Sequence, residues 1–244
     1  MATDSYMTFT EHLEEFRRCL LKSAIAIAVS SVVCYFFSDS IFRFIVAPLQ
    51  QSLRPGQNMI GTGVTEAFFT EIKVALAAGV FFSAPVIFYQ IWRFLSPGLS
   101  EKEKKLVVPF VLCASAFFLG GAAFCYFVVL PIAFLYFIEQ YGTIGVTPAI
   151  RIGEYFTFFF RMVLAFGVTF ELPVFTFFLV RLGIWNYRLM LSSFRYALVA
   201  IFIIAAILTP TPDVINQSLL AGPMLLLYVV SIGVAYLWRK DGDS

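Results

Sequence analysis

Long apolar runs separated by short charged segments recur along the whole chain. A helix needs about 20 predominantly apolar residues to cross a hydrocarbon layer about 30 Å thick. The runs at about 19–38, 74–92, 106–130, 155–180 and 214–238 are long enough. A sixth, 196–208, offers only thirteen apolar residues, about 20 Å of helix. The pattern predicts an all-α, polytopic membrane protein in which 1–244 forms a single domain of six transmembrane helices. Pro131 predicts an end or a bend in the third span. Ahead of the first, Phe9, Leu13, Phe16 and Leu20 recur at helical spacing, which predicts an amphipathic lead-in on the membrane surface over 9–20. Thr8-Phe9-Thr10-Glu11 and Ser100-Glu101-Lys102-Glu103 fit the capping box and put helix starts at Thr8 and Ser100. The segment from Asp39 to Thr65, with its apolar stretch Ile41 to Val46, reads as a structured cap.

Composition sharpens this picture. Hydrophobic residues make up 60% and charged residues 13% of the 244, against about 45–50% and about 25% in soluble domains. A soluble enzyme, a disordered chain and a nucleic-acid-binding protein are excluded. Cys19, Cys34, Cys113 and Cys125 have no CxxC spacing and are expected to be free, buried thiols, and His12 is the only histidine. No metal site, disulfide framework or cofactor is expected. Asp4, Glu11, Glu14 and Glu15 stand where a cleaved signal peptide would be basic.

Charge placement gives the orientation. Arg17, Arg18, Lys22, Arg93, Lys102, Lys104, Lys105, Arg181, Arg188, Arg195, Arg239 and Lys240 fall on one side of the six-span arrangement. Arg43, Arg54 and Arg151 fall on the other. Twelve cations against three put both termini in the cytoplasm.

Several positions break the apolar pattern. Glu171 lies deep in the fourth run, where a carboxylate costs several kcal/mol; it predicts a site facing a groove or a partner, or else an internal contact with Lys73, Arg161 or a backbone carbonyl freed near Pro173. The short fifth run, Thr209-Pro210-Thr211-Pro212-Asp213 and the polar Asn216, Gln217 and Ser218 predict local bilayer thinning or a partner site. Pro85, Pro109, Pro173 and Pro223 predict kinked helices and a concave bundle. Glu14 has Arg18 at i+4, whereas Glu15 has Cys19 there, leaving an acidic face suited to a guanidinium ligand.

These residues also carry a family resemblance. His12-Leu13-Glu14-Glu15-Phe16-Arg17 resembles the HLxELR signature of the TatC family, multispanning core subunits of the twin-arginine protein translocase. The likeness extends over about residues 9–238, through Ala47-Pro48-Leu49, Ser83-Ala84-Pro85-Val86, Phe94-Leu95-Ser96-Pro97-Gly98-Leu99 with Glu103, Phe166 to Pro173, and Leu208-Thr209-Pro210 with Asp213 to Gln217. It implies a curved, glove-like bundle in the cytoplasmic (inner) membrane, without enzymatic activity. It also implies binding of the twin-arginine signal peptides of folded cargo, and export driven by the proton-motive force in an oligomeric complex with the single-span subunits TatA and TatB. By motif position Glu15 and Glu103 would contact the arginine pair, with Arg17 and Phe94 nearby. Glu171 would be a concave-face carboxylate, Thr209 and Gln217 would lie where the partners pack, and Pro48 and Pro85 would shape the outer cap and its helices. Two features depart from the family pattern: Cys19 replaces a common arginine, and the outer hairpin is one residue longer than TPPD. A proton-coupled secondary transporter is the alternative reading, motivated by Glu171 and the proline-broken helices. An intramembrane enzyme lacks the paired groups it would need.

Overall fold

Neither proline nor glycine interrupts residues 9–35, and in a computed structural model of the chain they form one helix, α1 (Phe9–Tyr35). The structure describes residues 9–53, 57–95, 107–143, 145–181, 183, 185–208 and 214–238. The other helices are α2 (Ser38–Ser52), α3 (Glu66–Leu95), α4 (Val107–Phe124), α5 (Leu130–Thr143), α6 (Ile152–Phe170), α7 (Leu172–Arg181), α8 (Tyr187–Ser192), α9 (Phe194–Leu208) and α10 (Val214–Leu237). Among the described residues five helical stretches are long and apolar enough to cross a membrane, and α9 is a shorter apolar helix. The predicted starts at Thr8 and Ser100 lie outside the described residues.

Three expectations change. The lead-in and the first span are one continuous helix; Leu13 and Leu20 of the stripe are 50% and 53% exposed, while Cys19 is buried. Apolar side chains can face acyl tails without cost, so the polar side of such a helix turns towards protein. Pro131 does not end its span, which runs on to Thr143, so of the end or bend expected there the end is excluded. A π-helical turn, Cys125–Val129, precedes it, and the Leu130 N–H reaches back to the Cys125 carbonyl; the wider turn makes room for a residue that cannot donate. Lastly, Cys113 is exposed, unlike the other three thiols.

The helices gather into two compact units, Met1–Ile41 with Glu71–Ala116, and Phe42–Thr70 with Phe117–Ser244. In the first, α1 and α3 run antiparallel and touch at Gly79, where a Cβ would lie 2.8 Å from the Ser31 backbone nitrogen. Glycine is required there by proximity, not by turn geometry. Near its end α3 packs Trp92 on Phe110 of α4, ring centroids 4.7 Å apart.

In the second unit two features fix the cap. Pro48 lies inside α2 and cannot donate to the carbonyl four residues back. That carbonyl, Phe44 O, instead accepts from the Tyr126 hydroxyl at 2.6 Å, and the next, Ile45 O, accepts from the buried Tyr155 hydroxyl. The second feature is Glu66, at the start of α3. Its carboxylate accepts from the backbone N–H groups of Thr62 and Gly63, from the Thr62 hydroxyl, and from the Gly153 N–H at 2.9 Å. Arg151 at the start of α6 makes no side-chain cap, so a carboxylate 87 residues away in sequence serves that helix end. Alongside, Ile60 and Arg151 form a parallel bridge. The expected cap is thus an ordered element.

Within the same unit α4 and α6 meet through paired glycines. A Cβ on Gly121 would lie 2.6 Å from the Phe166 carbonyl oxygen, and one on Gly167 would lie 2.8 Å from the Phe118 ring. Pro173 cannot donate to the Thr169 carbonyl, so the helix breaks for one residue at Glu171 before α7 begins.

Candidate functional site

The first turns of α1 meet the last turn of α3. Glu15 is half-buried and pairs with Arg93, Oε1 to Nε 2.9 Å. One turn earlier the His12 ring stacks on Phe94 with centroids 4.4 Å apart, and Phe16 closes against the same ring at 5.3 Å. His12, Glu15, Phe16 and Cys19 therefore share the face of α1 turned to α3, as positions i, i+3, i+4 and i+7 must. The expected Glu14–Arg18 pair forms at 2.8 Å on the outer face. Arg17 is exposed.

Glu15, read from sequence as unpaired, is thus corrected: its cation comes from another helix. Arg93 is bound through Nε. The Glu15 carboxylate thus stands against an aromatic wall, with the buried Cys19 thiol one turn further along the same face. Glu103 lies outside the described residues, as does Thr209. Sequence reasoning counted Arg93 only as a loop cation. The available signal was its position, closing an apolar run on the side where Glu15 starts another.

The remaining candidates are dispersed. Glu171 is 3% exposed, and neither carboxylate oxygen has a hydrogen-bond partner of ordinary geometry, although the Phe118 backbone lies alongside. The alternative of an internal contact with Arg161 is not formed. Gln217 donates through Nε2 to the Phe202 carbonyl at 2.7 Å and ties α10 to α9. Pro48 is buried in the cap, whereas Pro85 is exposed within an unbroken α3. Glu66 was missed altogether, because three of its four partners are backbone groups that leave no trace in side-chain identity.

The chain matches the model of the family "Sec-independent protein translocase protein (TatC)" over residues 11–223. It is similar to the Sec-independent protein translocase protein TatC of Desulforapulum autotrophicum, 42% identical over 97% of this chain and 87% of the relative. Identity to that of Campylobacter jejuni is 43%, over 91% and 90% of the two chains. Among solved structures it resembles the crystal structure of the twin-arginine translocase receptor TatC, with a TM-score of 0.85 at 36% identity, covering 94% of this chain and all of the other.

Proposed function

The chain belongs to the TatC family of Sec-independent protein translocase proteins, and from that membership we propose that Glu15 and its surroundings form the dock for the arginine pair of a signal peptide. The protein is a multi-pass membrane component of a protein translocase and not an enzyme; the transporter alternative gives way to that. The observation supporting the dock is the half-buried Glu15 carboxylate, braced by Arg93 beside the His12–Phe94–Phe16 wall. An incoming peptide guanidinium displaces Arg93, Glu103 supplies a second carboxylate, and Arg17 and Phe94 border the peptide. Arginine is preferred to lysine because a planar fork satisfies a carboxylate with two parallel bonds. The dock faces the cytoplasm of the inner membrane, with both termini on that side.

Each charge-assisted contact contributes about 1.5–3 kcal/mol, so Glu15→Gln is expected to weaken twin-arginine peptide binding at least about tenfold. Arg93→Gln, which removes the internal competitor, is expected to tighten it. Equilibrium titration of a labelled peptide against the purified chain measures both. Equal affinity for wild type and Glu15→Gln would defeat the reading.

TatA and TatB assemble along α9 and α10 and near Glu171, with Gln217 tying the two helices together and Thr209 contributing to the same surface. Gln217→Ala and Glu171→Ala are each expected to lower the partner recovered with this chain in mild detergent several-fold. Undiminished co-purification from both variants would overturn the assignment.

A further inference from the structure

We propose that the end of the second unit formed by α7, α8, α9 and α10 is a headgroup site for an anionic phospholipid. The charge pattern is lopsided there: no Asp or Glu occurs between Glu171 and Asp213, a stretch that holds Arg181, Arg188 and Arg195. All three are exposed. Val180, Met190 and Ala235 form one buried cluster, with Trp185, Tyr187 and Tyr228 packed against it. The Tyr228 hydroxyl donates to the Met190 carbonyl at 2.9 Å, and its ring lies 6.1 Å from that of Phe194. Each arginine thus follows or adjoins a residue anchored on the last turns of α10, so the cations are gathered at one end of the unit by packed aromatic and aliphatic groups.

Two of the guanidiniums are already oriented. Arg195 lies 4.7 Å over the Tyr196 ring and donates through Nη2 to its hydroxyl at 2.8 Å. Arg188 lies 5.8 Å from the Tyr187 ring centre and donates through Nε to that hydroxyl at 3.1 Å. In Arg195 that bond uses one of five donors, leaving a fork edge for a phosphate, which guanidinium binds bidentately. A free phosphate would need nothing more. Beside the arginines, however, Leu189, Leu191 and Tyr196 are 49%, 53% and 63% exposed. Apolar side chains interleaved with cations at the ends of membrane-crossing helices suit a molecule with a phosphate and acyl chains. The same charge repels an arginine-rich signal peptide, so this site is independent of the Glu15 dock and stands or falls separately.

The test uses the full chain in dodecyl maltoside micelles, titrated with fluorescent phosphatidylglycerol or phosphatidylcholine. Phosphatidylglycerol is expected to bind at least about tenfold more tightly than phosphatidylcholine. The triple variant R181Q/R188Q/R195Q is expected to abolish that preference, and R195Q alone to reduce it. The pair L189S/L191S is expected to weaken phosphatidylglycerol binding several-fold, and millimolar inorganic phosphate is expected not to displace the lipid. Equal affinities for the two lipids, or an undiminished preference in the triple variant and in R195Q, would overturn the site. Displacement by inorganic phosphate, with L189S/L191S binding as wild type, would overturn the lipid as its occupant. All three arginines are exposed, and unchanged melting of the R195Q variant checks that the loss is not one of folding.

Discussion

Gly121→Ala is expected to destabilise the protein by about 1–3 kcal/mol, while Gly120→Ala one residue earlier leaves it unchanged or more stable. The two positions share a helix and a residue type, and differ only in what stands opposite. A methyl group on Gly121 would meet the Phe166 carbonyl oxygen at 2.6 Å and the Phe170 Cβ at 2.8 Å, whereas nothing lies within 4 Å of one on Gly120. The Phe166 oxygen belongs to the backbone of α6, so the helices must separate, an overpacking cost of about 1–3 kcal/mol. At Gly120 the substitution only removes unfolded-state freedom and improves helix propensity, a gain of about 0.5–1 kcal/mol. Gly167→Ala should fall between, since its nearest neighbour is the edge of the Phe118 ring, which can rotate. Melting temperatures in detergent rank the three variants. Coincident melting of the Gly120 and Gly121 variants would refute the argument. The close approach has a physical purpose: without a hydrophobic drive in lipid, helices hold together through dense contact between small residues.

The second large effect is expected at Glu66. Four donors converge on this carboxylate, three from residues 62–63 and one from Gly153. Glu66→Ala orphans backbone N–H groups in both segments, and the fastening between the 57–65 segment and the start of α6 should weaken by about 2–3 kcal/mol, or about thirty- to a hundredfold in opening equilibrium. Glu66→Gln keeps one acceptor oxygen but turns an NH2 group towards donors, so it should lie between wild type and Ala. Deuterium exchange at the Ile60 and Ile152 amides reports the opening directly, since Ile60 donates to Ile150 and Ile152 donates to Ile60. Unchanged exchange at both amides in Glu66→Ala would show that the bridge holds without the carboxylate.

These two residues also show where sequence reading stops. The apolar runs were legible because a spanning helix declares its length, and the Glu14–Arg18 pair because both partners lie within one helical turn. The signature around Glu15 was legible as a string, but its ion pair with Arg93 was not, because the pairing depends on how two distant helices are staggered. Glycine is ambiguous in a string: Gly120 and Gly121 read alike, and only the neighbouring backbone separates them. Periodicity marked the stripe Phe9-Leu13-Phe16-Leu20 as one face of a helix, but not that this helix runs on unbroken into the first span as far as Tyr35. Pro131 read equally as an end or a bend, because a π turn, which absorbs it, has no sequence pattern of its own.

The bond between the Tyr126 hydroxyl and Phe44 O couples two sites that a lineage would otherwise alter one at a time. While proline occupies position 48, phenylalanine at 126 strands the Phe44 carbonyl. Once residue 48 regains an N–H, the Tyr126 phenolic oxygen becomes the group in search of company. Drift across this part of the molecule is therefore contingent on order: the proline and its tyrosine are inherited, or abandoned, together.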